Sequence, residues 1–123
     1  MWAAWTDPEK IKLWWGPSVT SVLSAETDPR VGGRFRVAMS GDDGEIHDVS
    51  GTYKVFTPHE KFVMSWAWIT TPERESQVTV TLKADGAETI LTLLHEQFFD
   101  EAARIGHNRG WTESLNKLEA LFA

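Results

Sequence analysis

The chain has 123 residues, seven tryptophans, no cysteine and a formal charge of −6. That length accommodates one domain around one core, residues 1–123. The missing thiol excludes disulfides, thiolate metal sites and cysteine nucleophiles, and the acidic balance argues against nucleic acid and acidic membrane surfaces as partners.

The start, MWAAWTDPEK, carries neither a basic segment nor an apolar run, so it does not read as a signal peptide. No apolar stretch approaches the ~20 residues that span a bilayer; with an ordinary hydrophobic share of 41%, a cytoplasmic protein is expected. Thr6 with Glu9 makes a capping box, and Asp7-Pro8 offers a competing N-cap and first-turn proline. Either predicts a short helix through Ile11 and Trp14, stopped at Gly16-Pro17, with Trp2, Trp5, Trp14 and Trp15 used for packing.

Strand punctuation begins at Val19. Gly32-Gly33 separates Val19–Asp28 from Arg34–Ser40, where Phe35, Val37 and Met39 alternate with Arg34 and Arg36. Arg30, Arg34 and Arg36 form a basic cluster on a solvated outer face. Asp43-Gly44 is a hairpin signal before Asp48–Phe56, in which Val49, Gly51, Tyr53 and Val55 share a face. Phe62–Ile69 follows, with Phe62, Met64, Trp66 and Trp68 on one side. Beyond the loop Thr70–Glu75, Gln77–Lys83 sets Val78, Val80 and Leu82 against polar partners. Asp85-Gly86 then turns into Thr89–His95, where Leu91, Leu93 and His95 alternate with Ile90, Thr92 and Leu94. Short turns between consecutive strands predict an antiparallel meander.

Asp100 can cap a terminal helix reaching about Phe122, whose inner stripe is Gly110-Trp111-x3-Leu115-x2-Leu118-x3-Phe122. Gly106 and Gly110 each cost roughly 1 kcal/mol in a helix interior, which predicts a break near Gly106 or close approach of the helix backbone to the sheet. Glu113 and Lys117 mark the wet face. One helix on one face of a curved sheet makes an α+β architecture.

Ala4-Trp5-Thr6-Asp7-Pro8-Glu9, Trp14-Trp15-Gly16-Pro17, Asp28-x-Arg30-Val31-Gly32-Gly33 and the terminal Gly110-Trp111-x3-Leu115-x2-Leu118 together resemble the bacterial homologues of the activator of the ninety-kilodalton heat-shock chaperone's ATPase. These belong to the START-like, polyketide-cyclase or SRPBCC superfamily. The resemblance spans nearly the whole chain and implies a helix-grip fold: a seven-stranded antiparallel sheet around a long C-terminal helix. In such proteins a first strand precedes the Ala-Trp-Thr-Asp motif and pairs with the last strand, here Thr89–His95. Met1 stands close to that motif, so the expectation is either a homodimer that covers the Thr89–His95 edge or a start site assigned downstream of the true one.

No catalytic motif is present. The four histidines never fall three to five apart, so no local metal site is expected and no cofactor is implied. His47 and His59 read as surface residues, whereas His95 and His107 lie beside the inner stripe, where an imidazole can orient a polar group or transfer a proton. The expected pocket residues are Tyr53, Met64, Trp66, Trp68, Val80, Leu93, His95, His107, Trp111 and Leu115. They point to binding of a hydrophobic or aromatic small molecule between sheet and helix, a property the resemblance also implies. A cyclase-like enzyme using the same pocket and a stress-related, co-chaperone-like interaction module are the alternatives.

Overall fold

A computed structural model describes residues 1–17, 20–41 and 43–122. Two short helices, α1 (Trp2–Thr6) and α2 (Pro8–Ile11), precede six strands: β1 (Ser21–Thr27), β2 (Arg34–Ser40), β3 (Ile46–Thr57), β4 (Lys61–Trp68), β5 (Ser76–Asp85) and β6 (Glu88–Glu96). The long helix α3 (Glu101–Leu121) closes the chain. The strands pair in chain order, all antiparallel, as one curled half-barrel. The fold is α+β and of the helix-grip type. The expected opening of the first strand at Val19 lies outside the described residues.

At the N-terminus the competition is won by Asp7, whose carboxylate accepts from the Glu9 N–H at 3.0 Å with Pro8 in the first turn. Thr6 instead donates to the Trp2 carbonyl at 3.2 Å. α2 stops at Ile11, and a turn carries the chain through Trp14 to Gly16. Gly16 has φ +91, and a Cβ there would sit 2.3 Å from Thr20 Oγ1 and 2.7 Å from Met39 Sδ, so no side chain fits.

The core lies on the concave face. Phe35, Val37, Met39, Val49, Tyr53, Phe62, Met64, Trp66, Val78 and Val80 point inward, as their alternation requires. One assignment is corrected: Val55 is 42% exposed. The pairing shifts by one residue between Tyr53↔Met64 and Val55↔Val63. This bulge around Lys54 turns Val55 outward and brings Phe56 onto the core, 5.4 Å from Tyr53 ring to ring. Curvature is set nearby by Gly51. A Cβ at Gly51 would lie 1.8 Å from the Ser65 carbonyl oxygen, so only glycine lets β3 and β4 approach this closely.

α3 begins as its sequence dictates, Asp100 accepting from Ala103 N–H at 2.8 Å. It then runs unbroken past both glycines. Neither the expected break nor a tight backbone approach occurs: a Cβ on Gly106 meets nothing within 4 Å, and one on Gly110 meets only Pro17 Cγ at 3.8 Å. The inner stripe is Trp111, Ser114 and Leu118 with Leu115 half-buried, whereas Phe122 is 56% exposed. Lys117 also departs from expectation. It is half-buried and donates to the Pro17 carbonyl at 3.1 Å, tying α3 to the turn after Trp15.

Candidate functional site

Six of the seven tryptophans form a continuous ring-to-ring cluster between sheet and helix. Trp5 touches Trp14 (4.6 Å), Trp14 touches Trp15 (5.5 Å), Trp15 stacks on Trp66 (5.7 Å, 24°), and Trp66 meets both Trp68 (5.6 Å) and Trp111 (5.2 Å). Trp14 spends its N–H on the Ala4 carbonyl at 2.9 Å and belongs to the packing. Trp66 Nε1 is buried without a hydrogen-bond partner, its ring packed against Trp68, His95 and Trp111.

Where the cluster meets α3 the packing stops, leaving a cavity of about 350 Å³. Its floor and walls are Trp15, Trp66, Trp68 and Trp111, with Met39 from β2 and His47 from β3. Its roof is the small-residue stripe of α3: Ala103, Gly106, Gly110 and Ser114, spaced three and four apart. Longer side chains at those positions would occupy the space.

The structure thus brings together Trp66, Trp68, His107 and Trp111 from the expected set. Tyr53, Met64 and Val80 are packed in the core away from the cavity, and Leu93 and Leu115 are half-buried against that core. Burial pushes the Tyr53 phenol up, well beyond any role in proton transfer near neutrality. His95 stands behind the wall and holds Trp111 in place. Trp15, Gly16, Pro17, Met39, His47 and the small residues of α3 line the cavity but were not expected there. His47, read as a surface residue, is half-buried with its ring 6.2 Å from Trp68, whereas His59 is exposed in the turn between β3 and β4.

Two half-buried imidazoles fix the indoles. Trp111 Nε1 donates to His95 Nδ1 at 2.9 Å; an indole can only donate, so Nδ1 is bare and the proton sits on Nε2. That Nε2–H donates to Ser76 Oγ at 2.7 Å, which passes its own hydrogen to the Trp66 carbonyl at 3.4 Å. In parallel, Trp68 Nε1 donates to His107 Nε2 at 2.9 Å, and His107 Nδ1–H donates to the Ala103 carbonyl one turn back at 2.7 Å. Both rings are held as neutral imidazoles with every nitrogen committed. Burial pushes the His95 pKa down to about 3. Such histidines position indoles; neither has a free nitrogen for acid–base work.

On the convex face Arg36 grips Asp48 (2.6 Å) and Arg34 donates to Thr52 and Ser50. Arg30, the third member of the basic cluster, pairs instead with Asp28 in the loop between β1 and β2. Among the described residues no three His, Asp or Glu side chains converge as a metal would require, and no helix is long and apolar enough to cross a membrane.

No functionally curated protein matches the chain. Among solved structures, it is similar to an AHSA1 protein of Silicibacter pomeroyi, at 29% identity and a TM-score of 0.84 over 98% of this chain and 86% of that one. A protein of Chromobacterium violaceum gives 25% identity and a TM-score of 0.86 over 98% and 85%. One of Nitrosomonas europaea, at 21% identity, shares the fold, with a TM-score of 0.82 over 98% and 82%. The family model of the Activator of Hsp90 ATPase homolog 1-like proteins matches residues 1–123, and the chain belongs to that family.

Proposed function

We propose that the protein binds a small apolar or aromatic molecule in the cavity between the sheet and α3. The observation that carries this reading is the pairing of an indole wall with a helix stripe of Ala103, Gly106, Gly110 and Ser114. Two glycines in a helix interior cost roughly 1 kcal/mol each, and neither is required by contact with the sheet. What they preserve is volume. At about 350 Å³ the space is at the small end for ligand sites, suited to one or two rings. Indole faces supply stacking and shape rather than charge.

The test is native mass spectrometry of freshly purified protein beside Gly110→Leu. Leucine favours the helix and projects into the cavity, so the variant should fold and lose any retained molecule. A molecule kept equally by both proteins would contradict the reading.

We also infer that β6 accepts a strand from a second copy. Among the described residues it pairs only with β5, and its outer residues Ile90 and Leu94 are 49% and 51% exposed, an edge that invites pairing. Light scattering should find a dimer that Leu94→Lys dissociates. A monomer at micromolar concentration would remove this second reading.

A further inference from the structure

The polar groups around the cavity are unevenly committed. Thr20 Oγ1 donates to the Pro17 carbonyl at 2.6 Å and Ser114 Oγ to the Gly110 carbonyl at 2.9 Å. Trp68 and Trp111 spend their N–H groups on His107 and His95. Of the two histidines lining the cavity, His107 has both nitrogens engaged, whereas His47 has no side-chain hydrogen bond among the described residues. His47 is half-buried, braced edge-on against Trp68, so its ring is held in place without being satisfied.

His47 also marks a boundary. It and Trp68 line both the main cavity and an adjoining depression of about 230 Å³ whose other walls include Glu45, Asp48, Thr70 and Thr71. The surroundings therefore change from indole and glycine to hydroxyl and carboxylate across one imidazole. Among the described residues no lysine or arginine lines that depression. Arg36 is consumed by Asp48 on the outer face, and Arg74 lines a separate depression beyond Trp68 and Thr71, with its guanidinium over the Phe99 ring.

We propose that His47 is the polar anchor of this site, and that the ligand is a small uncharged aromatic molecule bearing one hydroxyl, an alcohol or phenol. The proposal rests on the cavity reading above. The ring system lies against Trp66 and Trp111 beneath Gly106 and Gly110, and the hydroxyl meets His47 at the rim. A hydroxyl both donates and accepts, so it answers the imidazole whichever nitrogen carries the proton. An anionic head at His47 would instead face Glu45 and Asp48, and a purely apolar molecule would leave the half-buried imidazole unpaired.

The experiment compares 2-naphthol, 2-methylnaphthalene and 2-naphthoate by calorimetric titration of the whole chain. Wild type should bind 2-naphthol up to about tenfold more tightly than 2-methylnaphthalene, the worth of one net hydrogen bond, with 2-naphthoate weakest. His47→Phe, its fold checked by circular dichroism, should erase the advantage of 2-naphthol while keeping 2-methylnaphthalene affinity; His47→Gln should retain the preference. Equal binding of the two neutral molecules in wild type, or a preference unchanged in His47→Phe, overturns the anchor and leaves the cavity reading standing. Binding of none of the three overturns the cavity reading and the anchor with it.

Discussion

Replacing Gly106 by alanine should stabilise the protein. α3 is helical on both sides of this position, and alanine is favoured over glycine in a helix interior by about 0.8–1.0 kcal/mol. The added methyl meets no heavy atom within 4 Å, so no clash offsets the gain. For a domain of this size about 1 kcal/mol corresponds to a rise in Tm of roughly 3–5 °C. Circular dichroism at the helical minimum during heating reads it directly. Gly16→Ala is the internal contrast: φ is +91 and the methyl would fall 2.3 Å from Thr20 Oγ1, so the same substitution should lower Tm. An unchanged or lower Tm for Gly106→Ala would refute the reasoning. It would mean that this glycine serves the fold rather than the space beside it.

Three further outcomes follow from the same geometry. Trp111→Phe keeps a ring in place but leaves His95 Nδ1 without its donor, costing about 1–3 kcal/mol in urea unfolding. Trp111→Ala should cost more, ~3–5 kcal/mol, for the lost ring; equal losses would show that the hydrogen bond is irrelevant. Because the folded-state pKa of His95 lies near 3, below its ordinary value of 6.5, the unfolded chain takes up a proton first. Stability supplied by the neutral ring is complete above about 6.5 and falls by up to about 1.4 kcal/mol per pH unit on acidification toward 3. His95→Gln should flatten that limb of the pH–stability curve, and a slope unchanged by the substitution would contradict the assignment. Gly51→Ala should cost about 3 kcal/mol or prevent folding, since its methyl would overlap the Ser65 carbonyl; a variant as stable as the parent in denaturant unfolding would remove Gly51 as the source of the tight β3–β4 contact.

The strands were legible because period-two alternation is strong wherever one face is buried. Trp66 and Trp68, two residues apart on β4, announced their shared face, and Trp111 announced the helix that meets them. Val55 was misread because the bulge around Lys54 leaves no compositional sign and flips every face assignment beyond it. The cavity's other wall was hidden for a different reason. Trp15, Met39 and His47 are far apart in sequence, and only the curl of the sheet and the turn at Gly16 bring them together. The roof carried a signal that was available: Ala103, Gly106, Gly110 and Ser114 repeat at helical spacing as small residues. Taken as the cost of two glycines they suggested a break; taken as one face they mark a hollow. The histidine partners were beyond reach, since the hydrogen bonds that join β4 and β6 to α3 depend on side-chain geometry that spacing does not fix.

The account stands on the hollow under α3 being a ligand site, and a crystal structure of the protein soaked with 2-naphthol tests that most directly. Density for the ring system is predicted against Trp66 and Trp111 beneath Gly106 and Gly110, with its oxygen within hydrogen-bond distance of His47. A hollow closed by inward-turned indoles, with the compound absent or bound on the outer face of the sheet, would contradict it.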